Sequence, residues 1–328
     1  MNLPAGQRTR AAAVRVPGST SNLGGGFDCV ALAIDRFLDV VFEPGPGPLA
    51  VIRSDSVFLG EDLVATSFER TMAARGLTPE GTLRVRSGIP IGCGLGSSAA
   101  ALVAGTALAE LAAGATLDPG AVFASAAGEE GHGDNAGASA YGGLVAVVDG
   151  LDAPQVVQLE LSPAIGFAFA APPTRIPTRA ARAALPASVP HRVAVGALAR
   201  LAALLLGLAK GDRDLLRRGF EDALHVPYRL PLIAGGEDAL AAAIHAGAWA
   251  GTVSGAGSGL LAVCSPADAV RVAETMAAVL AQHHGTDEIV AFPLGAVPLG
   301  VRAVQWGDDG SVSGDSAAEQ RIASAGRE

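Results

Sequence analysis

The residues best suited to chemistry in this chain form one short run rich in glycine and serine. Gly92, Gly94 and Gly96 alternate with bulkier residues, and Ser97 and Ser98 follow them directly before an alanine-rich stretch. Glycine lets backbone N–H groups turn toward a ligand without obstruction by a side chain. A serine pair before good helix formers is typical of a helix start, where free N–H donors attract anions. The run predicts a cradle for nucleotide phosphates; the alternative is a plain strand-to-helix turn.

Oxygen-bearing side chains near this run could hold a divalent metal. Mg²⁺ prefers hard oxygen ligands, and phosphoryl transfer needs such an ion beside the phosphates. Ser98 offers a hydroxyl, and Glu130 offers a carboxylate at the end of a predicted helix. Glu129 or Asp134 could take the place of Glu130, and the alternative for this acidic segment is a solvated loop. We predict Ser98 and Glu130 as the metal ligands.

Two further glycine-rich turns could hold the group that accepts a phosphate. The first contains Asn22 and Asp28, whose amide and carboxylate could bind a hydroxyl and an ammonium group. The other spans residues 254–259 and could bring backbone N–H groups to the same phosphates or to the substrate. The alternatives are an ordinary capped turn and a plain hairpin.

Charge and composition limit the partners of the chain. Its 328 residues carry a formal net charge of −9, which argues against binding to nucleic acid or an anionic membrane. Lys210 is the only lysine, so a loop of the Walker type, with its Gly-Lys pair, is excluded. The 3 cysteines are widely spaced and predict free thiols in a reducing compartment. The apolar stretch 194–209 contains Arg200 and is short for a membrane span, so we expect a cytoplasmic protein.

The elements that must position these turns alternate between strands and helices. Hydrophobic patterns and turn residues predict an α/β (α+β) protein of two domains, residues 1–171 and 172–307, with a flexible tail at 308–328. Predicted strands cover residues 11–16, 38–43, 83–86, 156–161, 165–171, 252–254, 260–264, 289–292 and 300–306. Predicted helices cover residues 63–75, 98–113, 121–130, 195–210, 212–224, 237–246 and 267–282.

Taken together, the turns resemble a known family. The signatures are Asn22-Leu23-Gly24-x-Gly26-Phe27-Asp28, Pro90-x-Gly92-x-Gly94-Leu95-Gly96-Ser97-Ser98-Ala99-Ala100, Gly131-His132-x-Asp134-Asn135, Asp222-x-x-His225-x-Pro227-Tyr228-Arg229 and Ser254-Gly255-Ala256-Gly257. They occur in the order found in the GHMP kinases and look most like those of the homoserine kinases. The resemblance implies a two-layer fold with the active site in the cleft between two domains. It also implies transfer of phosphate from ATP, with Mg²⁺, to L-homoserine, and a homodimer.

The resemblance implies a role for each matched residue. Ser98, Glu130 and Asn135 are the expected catalytic residues, and Ser98 and Glu130 are the expected metal ligands. The residues expected to bind ATP are Pro90, Ile91, Gly92, Cys93, Gly94, Leu95, Gly96, Ser97, Ser98, Ala99 and Ala100. The residues expected to bind the substrate are Asn22, Asp28, His132, Asn135, Arg200, Arg229 and Gly257. The ammonium group would meet Asp28, and the carboxylate would meet Arg200 and Arg229, because guanidinium groups suit carboxylates.

Position 135 bears on the mechanism. Some relatives place an aspartate there as a base beside a lysine, whereas this chain has Asn135 and no lysine before residue 210. We expect catalysis without a dedicated protein base, through alignment of the hydroxyl and stabilisation of charge. Gly133, Ala197 and the pair Ser258-Gly259 depart from the family pattern. A kinase of the same type for another small hydroxyl substrate, and a non-catalytic binding protein, are therefore the alternatives.

Overall fold

The computed structural model describes residues 9–54, 61–150, 153–307 and 312–313. The strands are β1 (Ala12–Ser21), β2 (Val30–Pro48), β3 (Ala50–Arg53), β4 (Glu80–Ser87), β5 (Leu144–Asp149), β6 (Pro154–Leu159), β7 (Gly166–Ala171), β8 (Ala250–Val253), β9 (Leu260–Cys264), β10 (Val290–Leu294), β11 (Arg302–Ala303), β12 (Gln305–Trp306) and β13 (Val312–Ser313). The helices are α1 (Leu63–Ala74), α2 (Ser97–Ala112), α3 (Pro119–Glu130), α4 (Asp134–Tyr141), α5 (Thr178–Ala183), α6 (His191–Lys210), α7 (Arg213–Phe220), α8 (Val226–Arg229), α9 (Gly236–His245) and α10 (Ala269–His284).

Some helix starts in the described residues are capped by an aspartate side chain, and α2 is among those that are not. The Asp62 side chain caps α1 by accepting hydrogen bonds from backbone N–H groups at the start of the helix, and Asp118 caps α3 in the same way. Helix α2 begins at Gly96, which has a left-handed backbone, and no side chain of the described residues caps it. Its alanine-rich sequence sustains the helix by propensity. The first N–H groups of α2 are therefore not occupied by a capping side chain.

The larger sheet carries the first glycine turn. Seven strands form it, in the order β11-β1-β2-β4-β3, with β5 and β6 attached to β2. β1 and β2 pair antiparallel with Val14 opposite Val40, so the turn between them sits at one end of the sheet. Helices α2 and α4 pack on these two strands, and α1 packs on α2. The packing fixes the start of α2 next to the first turn.

The smaller sheet carries the turn 254–259. Its four strands run in the order β10-β7-β9-β8, and α10 and α9 pack on it. The main core, built largely of alanine, leucine and valine, continues from the larger sheet to residues of α6 and β9. The two halves of the chain therefore share one apolar interior. The predicted domain boundary at residue 172 falls after β7, the first strand of the smaller sheet.

Several elements differ from the predicted ones. The segment after Glu130 is not only a turn, because α4 begins at Asp134; α5 is also unpredicted. Strand β2 extends beyond residues 38–43 at both ends, because β1 and β5 pair with its first part and β4 pairs with its proline-rich end. The predicted strand 300–306 is divided between β11 and β12. The predicted tail lies outside the described residues except for β13, which pairs with β12.

One helix in the described part of the chain, α6, is long and apolar enough to cross a membrane by length and composition alone. It has 20 residues and exceeds the predicted apolar stretch 194–209. Its outer face exposes Val195, Leu198 and Leu206, whereas Leu204 and Leu208 are buried. A single helix of this kind is weak evidence for a membrane span, and its inner face packs on α7.

Candidate active site

Three glycine-rich turns meet in one cleft of about 280 Å³. We call residues 22–28 the first turn, residues 92–98 the cradle and residues 254–259 the third turn. The Ser254 hydroxyl donates to Gly94 O at 2.7 Å, and the N–H of Gly255 donates to Ser21 O at 3.0 Å. The N–H of Ser19, in β1, donates to Leu95 O at 3.2 Å. These bonds hold turns from distant parts of the chain against one another.

The cradle presents backbone to the cleft. Gly92, Gly94 and Gly96 have positive φ angles of 78°, 81° and 64°, a conformation that glycine adopts without steric cost. Seven of the predicted ATP-binding residues line the cleft: Ile91, Gly92, Gly94, Leu95, Gly96, Ser97 and Ser98. The other four, Pro90, Cys93, Ala99 and Ala100, are not among its lining residues. Ala99 and Ala100 are buried in the core, where they anchor α2.

Cys93 is also directed away from the cleft. Burial raises the pKa of its thiol to about 12, and the thiol donates to Pro90 O at 3.4 Å. A neutral, buried thiol of this kind behaves as a small apolar side chain. The structure therefore gives Cys93 a packing role within the cradle, and any contact it makes with a nucleotide would use its backbone.

Gly96→Ala is expected to destabilise the protein by about 3 kcal/mol, from backbone strain and a steric clash together. A Cβ at this position would lie 2.2 Å from Ser19 Oγ and 2.9 Å from Asn135 Oδ1. Gly76→Ala is the matched control, because Gly76 has φ +71° but nothing lies within 4 Å of its added Cβ. We expect this control to lose only about 1 kcal/mol. Urea unfolding measures both; equal losses would contradict the packing argument.

Ser98 and Glu130 meet at the start of α2. The Ser98 hydroxyl donates to Glu130 Oε1 at 2.5 Å, while Glu130 Oε2 is enclosed without a hydrogen-bond partner among the described residues. Burial raises the pKa of Glu130, although the charge of His132 and the Ser98 bond oppose this. A buried carboxylate oxygen without a donor is costly unless a cation compensates it. A hydroxyl and a carboxylate oxygen are ligands that Mg²⁺ accepts.

The alternative metal ligands are occupied by other partners. Glu129 forms an ion pair with Arg70. Asp134 Oδ1 accepts from His132 Nδ1 at 2.8 Å and from the N–H of Asn135 at 2.9 Å. Within the described part of the chain, no group of three or more histidine, cysteine or acidic side chains could hold a metal by itself. A cation here would therefore need oxygens from phosphate or water as well.

His132 and Asp134 form a polarised pair on one wall of the cleft. The hydrogen bond to Asp134 raises the pKa of His132, although burial opposes the shift. Burial raises the pKa of Asp134, but the His132 bond and charge outweigh it, so the pKa is lowered overall. The pair favours a protonated imidazole beside an ionised carboxylate. His132 lines the cleft and can donate a hydrogen bond there from its other nitrogen.

Asn135 is held from both ends. Its Oδ1 accepts from Ser19 Oγ at 2.9 Å, and its Nδ2 donates to Ser21 Oγ at 2.9 Å. The residue is 9% exposed and lines the cleft. An amide cannot serve as a proton acceptor at neutral pH, and these bonds fix its orientation. Asn135 can orient a bound hydroxyl through its remaining N–H, but it offers no base.

The first turn is built by two residues with left-handed backbones. Asn22 has φ 62° and Asp28 has φ 53°. Asn22 Oδ1 accepts from the N–H of Asp28 at 2.8 Å, and its Nδ2 donates to Gly255 O at 2.9 Å. Asn22 therefore shapes the turn and links it to the third turn. The Asp28 carboxylate is left to face the cleft.

Asp28 pairs with an arginine that the sequence analysis does not identify. Arg182, on α5, donates from Nη1 to Oδ2 at 3.1 Å and from Nη2 to Oδ1 at 2.9 Å. Both residues line the cleft. Helix α5 has only six residues, too few to show a hydrophobic period, and it follows the proline-rich segment 172–177. In the sequence, Arg182 is marked only by its position next to Ala181, a small residue that is buried in the structure.

The predicted arginines have different positions. Arg229 lines the cleft at 1% exposure, donates from Nη1 to Gly255 O at 3.0 Å and lies 5.1 Å from the Phe27 ring centroid. Arg200 is not among the lining residues, and its Cβ packs behind Gly25. The first turn packs over the stem of Arg200, whereas Arg182 lines the cleft, and the contact of Arg200 with the substrate stays a prediction. Gly257 lines the cleft, and its contact with the substrate stays a prediction.

His225 supports the substrate end from behind. It is fully buried, and its ring stacks on Phe27 with centroids 5.1 Å apart. Burial lowers its pKa to about 4, although the nearby Asp222 carboxylate opposes the shift. A neutral imidazole at this place keeps the apolar contact with Phe27. Phe27 in turn contacts the buried guanidinium of Arg229.

The low pKa of His225 predicts a loss of stability in acid. The unfolded chain binds a proton near pH 6.5, but the folded chain binds it only near pH 4. Protonation therefore favours the unfolded chain as the pH falls through this window. The free energy of unfolding should decrease by about 2 kcal/mol between pH 7 and pH 5. Urea unfolding at both pH values should show a smaller difference for His225→Gln than for wild type. His245→Gln, on the exposed side of α9, is the control; an unchanged difference in His225→Gln would refute the assignment.

Comparison with known proteins agrees with this geometry. Residues 62–143 match the family described as GHMP kinases N terminal domain, and residues 202–282 match GHMP kinases C terminal. A homoserine kinase of Thermus thermophilus is 39% identical over 266 residues, which cover 80% of this chain and 90% of that protein. The crystal structure of a homoserine kinase from Cytophaga hutchinsonii matches with a TM-score of 0.76 at 25% identity, covering 92% of this chain and 100% of that one.

A more distant structure shows how widely the fold is shared. L. major mevalonate kinase, solved in complex with R-mevalonate, matches with a TM-score of 0.67 at 15% identity over 92% of this chain and 100% of that one. The predicted fold class and the predicted family are both confirmed. The chain belongs to the GHMP kinases and, within them, to the homoserine kinase family.

Proposed function

We propose that this chain transfers the γ-phosphoryl group of ATP to the side-chain hydroxyl of L-homoserine, giving O-phospho-L-homoserine and ADP in threonine biosynthesis. The observation that carries the proposal is the pairing of Asp28 with Arg182 in the same cleft as the Ser98–Glu130 pair. One pair matches the charges of an amino acid, and the other suits a metal beside a phosphate. The hydroxyl oxygen bonds to the γ-phosphorus, and the bond from the γ-phosphorus to the β,γ-bridging oxygen of ATP breaks, so that ADP leaves with that oxygen.

The cradle is the proposed site of the triphosphate. Its glycines expose backbone, and the start of α2 has no capping side chain, so N–H donors and the helix dipole are available to an anion. The apolar part of the cleft, which includes Leu38, Leu63 and Val64, suits the nucleobase. Gly94 is needed for packing, because a side chain there would collide with Ser254 O in the third turn.

Mg²⁺ is the proposed metal, held by Ser98 and Glu130. The enclosed, unpartnered Oε2 of Glu130 and the adjacent hydroxyl are the observations that fit it. When bound, Mg²⁺ would neutralise charge on the phosphates. Glu130 itself orients the Ser98 hydroxyl, and His132 adds a positive group to the same wall of the cleft.

The charges at the substrate end fit an α-amino acid. The ammonium group of homoserine would pair with Asp28, and its carboxylate would pair with Arg182 and Arg229. Arg229 is buried, and no carboxylate of the described residues forms an ion pair with it, so an anionic ligand would compensate its charge. Asp28 and Arg182 now pair with each other and would exchange this contact for the two charged groups of the substrate. A substrate without an ammonium group would leave Asp28 without its partner.

Proton transfer in this proposal needs no protein base. The amide of Asn135 is oriented by Ser19 and Ser21, and the chain has no lysine before residue 210. The site would instead hold the hydroxyl in line with the γ-phosphorus. The hydroxyl proton then passes to a phosphate oxygen late in the reaction.

An ADP-release assay against a panel of small hydroxy compounds tests the function. The panel contains L-homoserine, L-serine, L-threonine and mevalonate, and we expect kcat/KM for homoserine to exceed the others by at least about a hundredfold. A higher value for another compound would favour the alternative, a kinase of the same family for a different small alcohol. No ADP release with any of them would favour a non-catalytic role.

We also propose a cytoplasmic homodimer that binds neither nucleic acid nor membrane. The net charge of −9 supports the absence of nucleic-acid and membrane binding, because nucleic acids and anionic membranes attract basic proteins. The exposed apolar side chains of α6 support the homodimer, since a second copy would cover them. Sedimentation equilibrium of the wild type and of Leu198→Glu tests the dimer: a monomeric wild type would refute it.

A further inference from the structure

One arginine beside the cradle has no assigned role. Arg175 lies in the segment between β7 and α5 and is exposed. A Cβ built on Gly92 would lie 2.7 Å from its Cδ and 3.1 Å from its Cγ. The stem of Arg175 therefore crosses directly over the first glycine of the cradle. Arg175 is not itself among the residues that line the cleft and lies at its rim, whereas the following residue, Ile176, lines the cleft and approaches Gly257 in the third turn.

Arg175 differs from the other arginines around the site in its partners. Arg182 is paired with Asp28, Arg53 with Asp62 and Arg70 with Glu129. Arg175 forms no ion pair or hydrogen bond with any of the described residues. Its charge does act on the cradle, because it lowers the pKa of Cys93 against the larger effect of burial. An unpaired guanidinium is thus held beside a loop of exposed N–H groups.

The charge balance of the cleft makes such a group significant. Asp28, Glu130 and Asp134 line the cleft, and so do Arg53, Arg182 and Arg229. Arg53 and Arg182 are already paired with carboxylates, and Arg229 lies at the substrate end, so a triphosphate in the cradle would gain from a further cation. Guanidinium groups bind phosphate oxygens with two parallel donors and remain charged at any working pH. Arg175 is positioned to supply this charge from the rim.

We propose that Arg175 is a nucleotide-binding residue whose guanidinium pairs with the triphosphate of ATP bound in the cradle. The inference rests on the proposed binding of ATP at residues 92–98. Because the group lies on the rim and is exposed, it would contribute to ATP binding more than to the chemical step. The guanidinium would bind the phosphates and not the nucleoside. Its contribution to ATP affinity would decrease as the salt concentration rises, because salt screens the charges.

Calorimetric titration with ATP and with adenosine tests the inference. For Arg175→Gln we expect Kd for ATP to rise about tenfold, as for loss of one charged hydrogen bond in a partly exposed site. Adenosine affinity should not change, and Arg175→Lys should recover part of the loss. KM for ATP should rise by a similar factor, with kcat and KM for homoserine unchanged. The salt dependence of ATP binding should become shallower than in wild type.

Arg213→Gln is the matched control. Arg213 is exposed at the start of α7, whereas Gly219, which packs on the first turn, lies near the other end of that helix. It removes the same charge and should bind ATP as wild type does. Equal ATP affinity in Arg175→Gln and wild type would overturn the inference while leaving the proposed function intact. Equal losses in Arg175→Gln and Arg213→Gln would also overturn it, since net charge alone would then explain the effect. Failure of wild type to bind ATP would overturn both proposals.

Discussion

Glu130→Gln is expected to lower kcat about a thousandfold, the size typical of removing a charged group that stabilises a transition state. Glutamine keeps the shape of the side chain and an oxygen that can accept from Ser98, but it removes the charge next to the phosphates. The apparent requirement for Mg²⁺ should also shift to higher concentration. KM for homoserine should change little, because the Asp28–Arg182 pair is untouched. Steady-state ADP release over a range of Mg²⁺ concentrations measures both effects.

Glu129→Gln provides the control for this experiment. Glu129 precedes Glu130 on α3 and has the same side chain, but it is paired with Arg70. Its substitution removes an equal charge from the same helix and should leave kcat within about threefold, since exposed ion pairs contribute little. A Glu130→Gln enzyme with wild-type kcat and an unchanged response to Mg²⁺ would exclude Glu130 as a metal ligand.

Asp28→Asn is expected to lower kcat/KM for homoserine about a hundredfold, because a charge-assisted bond to the ammonium group is lost. The substitution would also leave Arg182 without its carboxylate partner. The affinity for ATP, measured separately by calorimetry, should remain as in wild type, since Asp28 belongs to the first turn and not to the cradle. The two measurements together separate a substrate contact from a general loss of structure.

Asp214→Asn is the comparison for Asp28→Asn. The Asp214 side chain is 85% exposed on α7, and its nearest cation, Arg217, is 3.8 Å away. We expect no measurable change in homoserine turnover. If Asp28→Asn weakened ATP binding and homoserine turnover by the same factor, Asp28 would not be the ammonium site, and the assignment of an amino acid substrate would lose its main support.

The parts of the site that the sequence predicts are those with local signals. The cradle combines glycines at alternate positions with a helix start, so its conformation follows from a few consecutive residues. Ser98 and Glu130 are candidates for the same reason, since each lies near a helix end marked by glycine. Helices α2, which is rich in alanine, and α10, which is amphipathic, appear within a few residues of their predicted limits.

The parts that could not be predicted depend on tertiary contacts. Arg182 becomes a site residue only because α5 packs where Asp28 ends the first turn, and nothing in residues 178–183 indicates that contact. Arg200 is expected in the cleft because the family pattern places an arginine there, but its position relative to the first turn depends on the packing of α6. The length of β2 likewise depends on strands far away in sequence that pair with it.

The outer edge of β1 pairs with β11, a strand from much later in the sequence, and this order has a consequence for synthesis of the chain. β1 is synthesised long before β11, the strand that pairs with two residues of its outer edge, with Val14 opposite Ala303. Until that strand emerges, a nascent chain exposes an unpaired sheet edge, which is a place where other chains can add and aggregate. Shortened chains that end before residue 302 should therefore be less soluble than the full chain, however complete their glycine turns are.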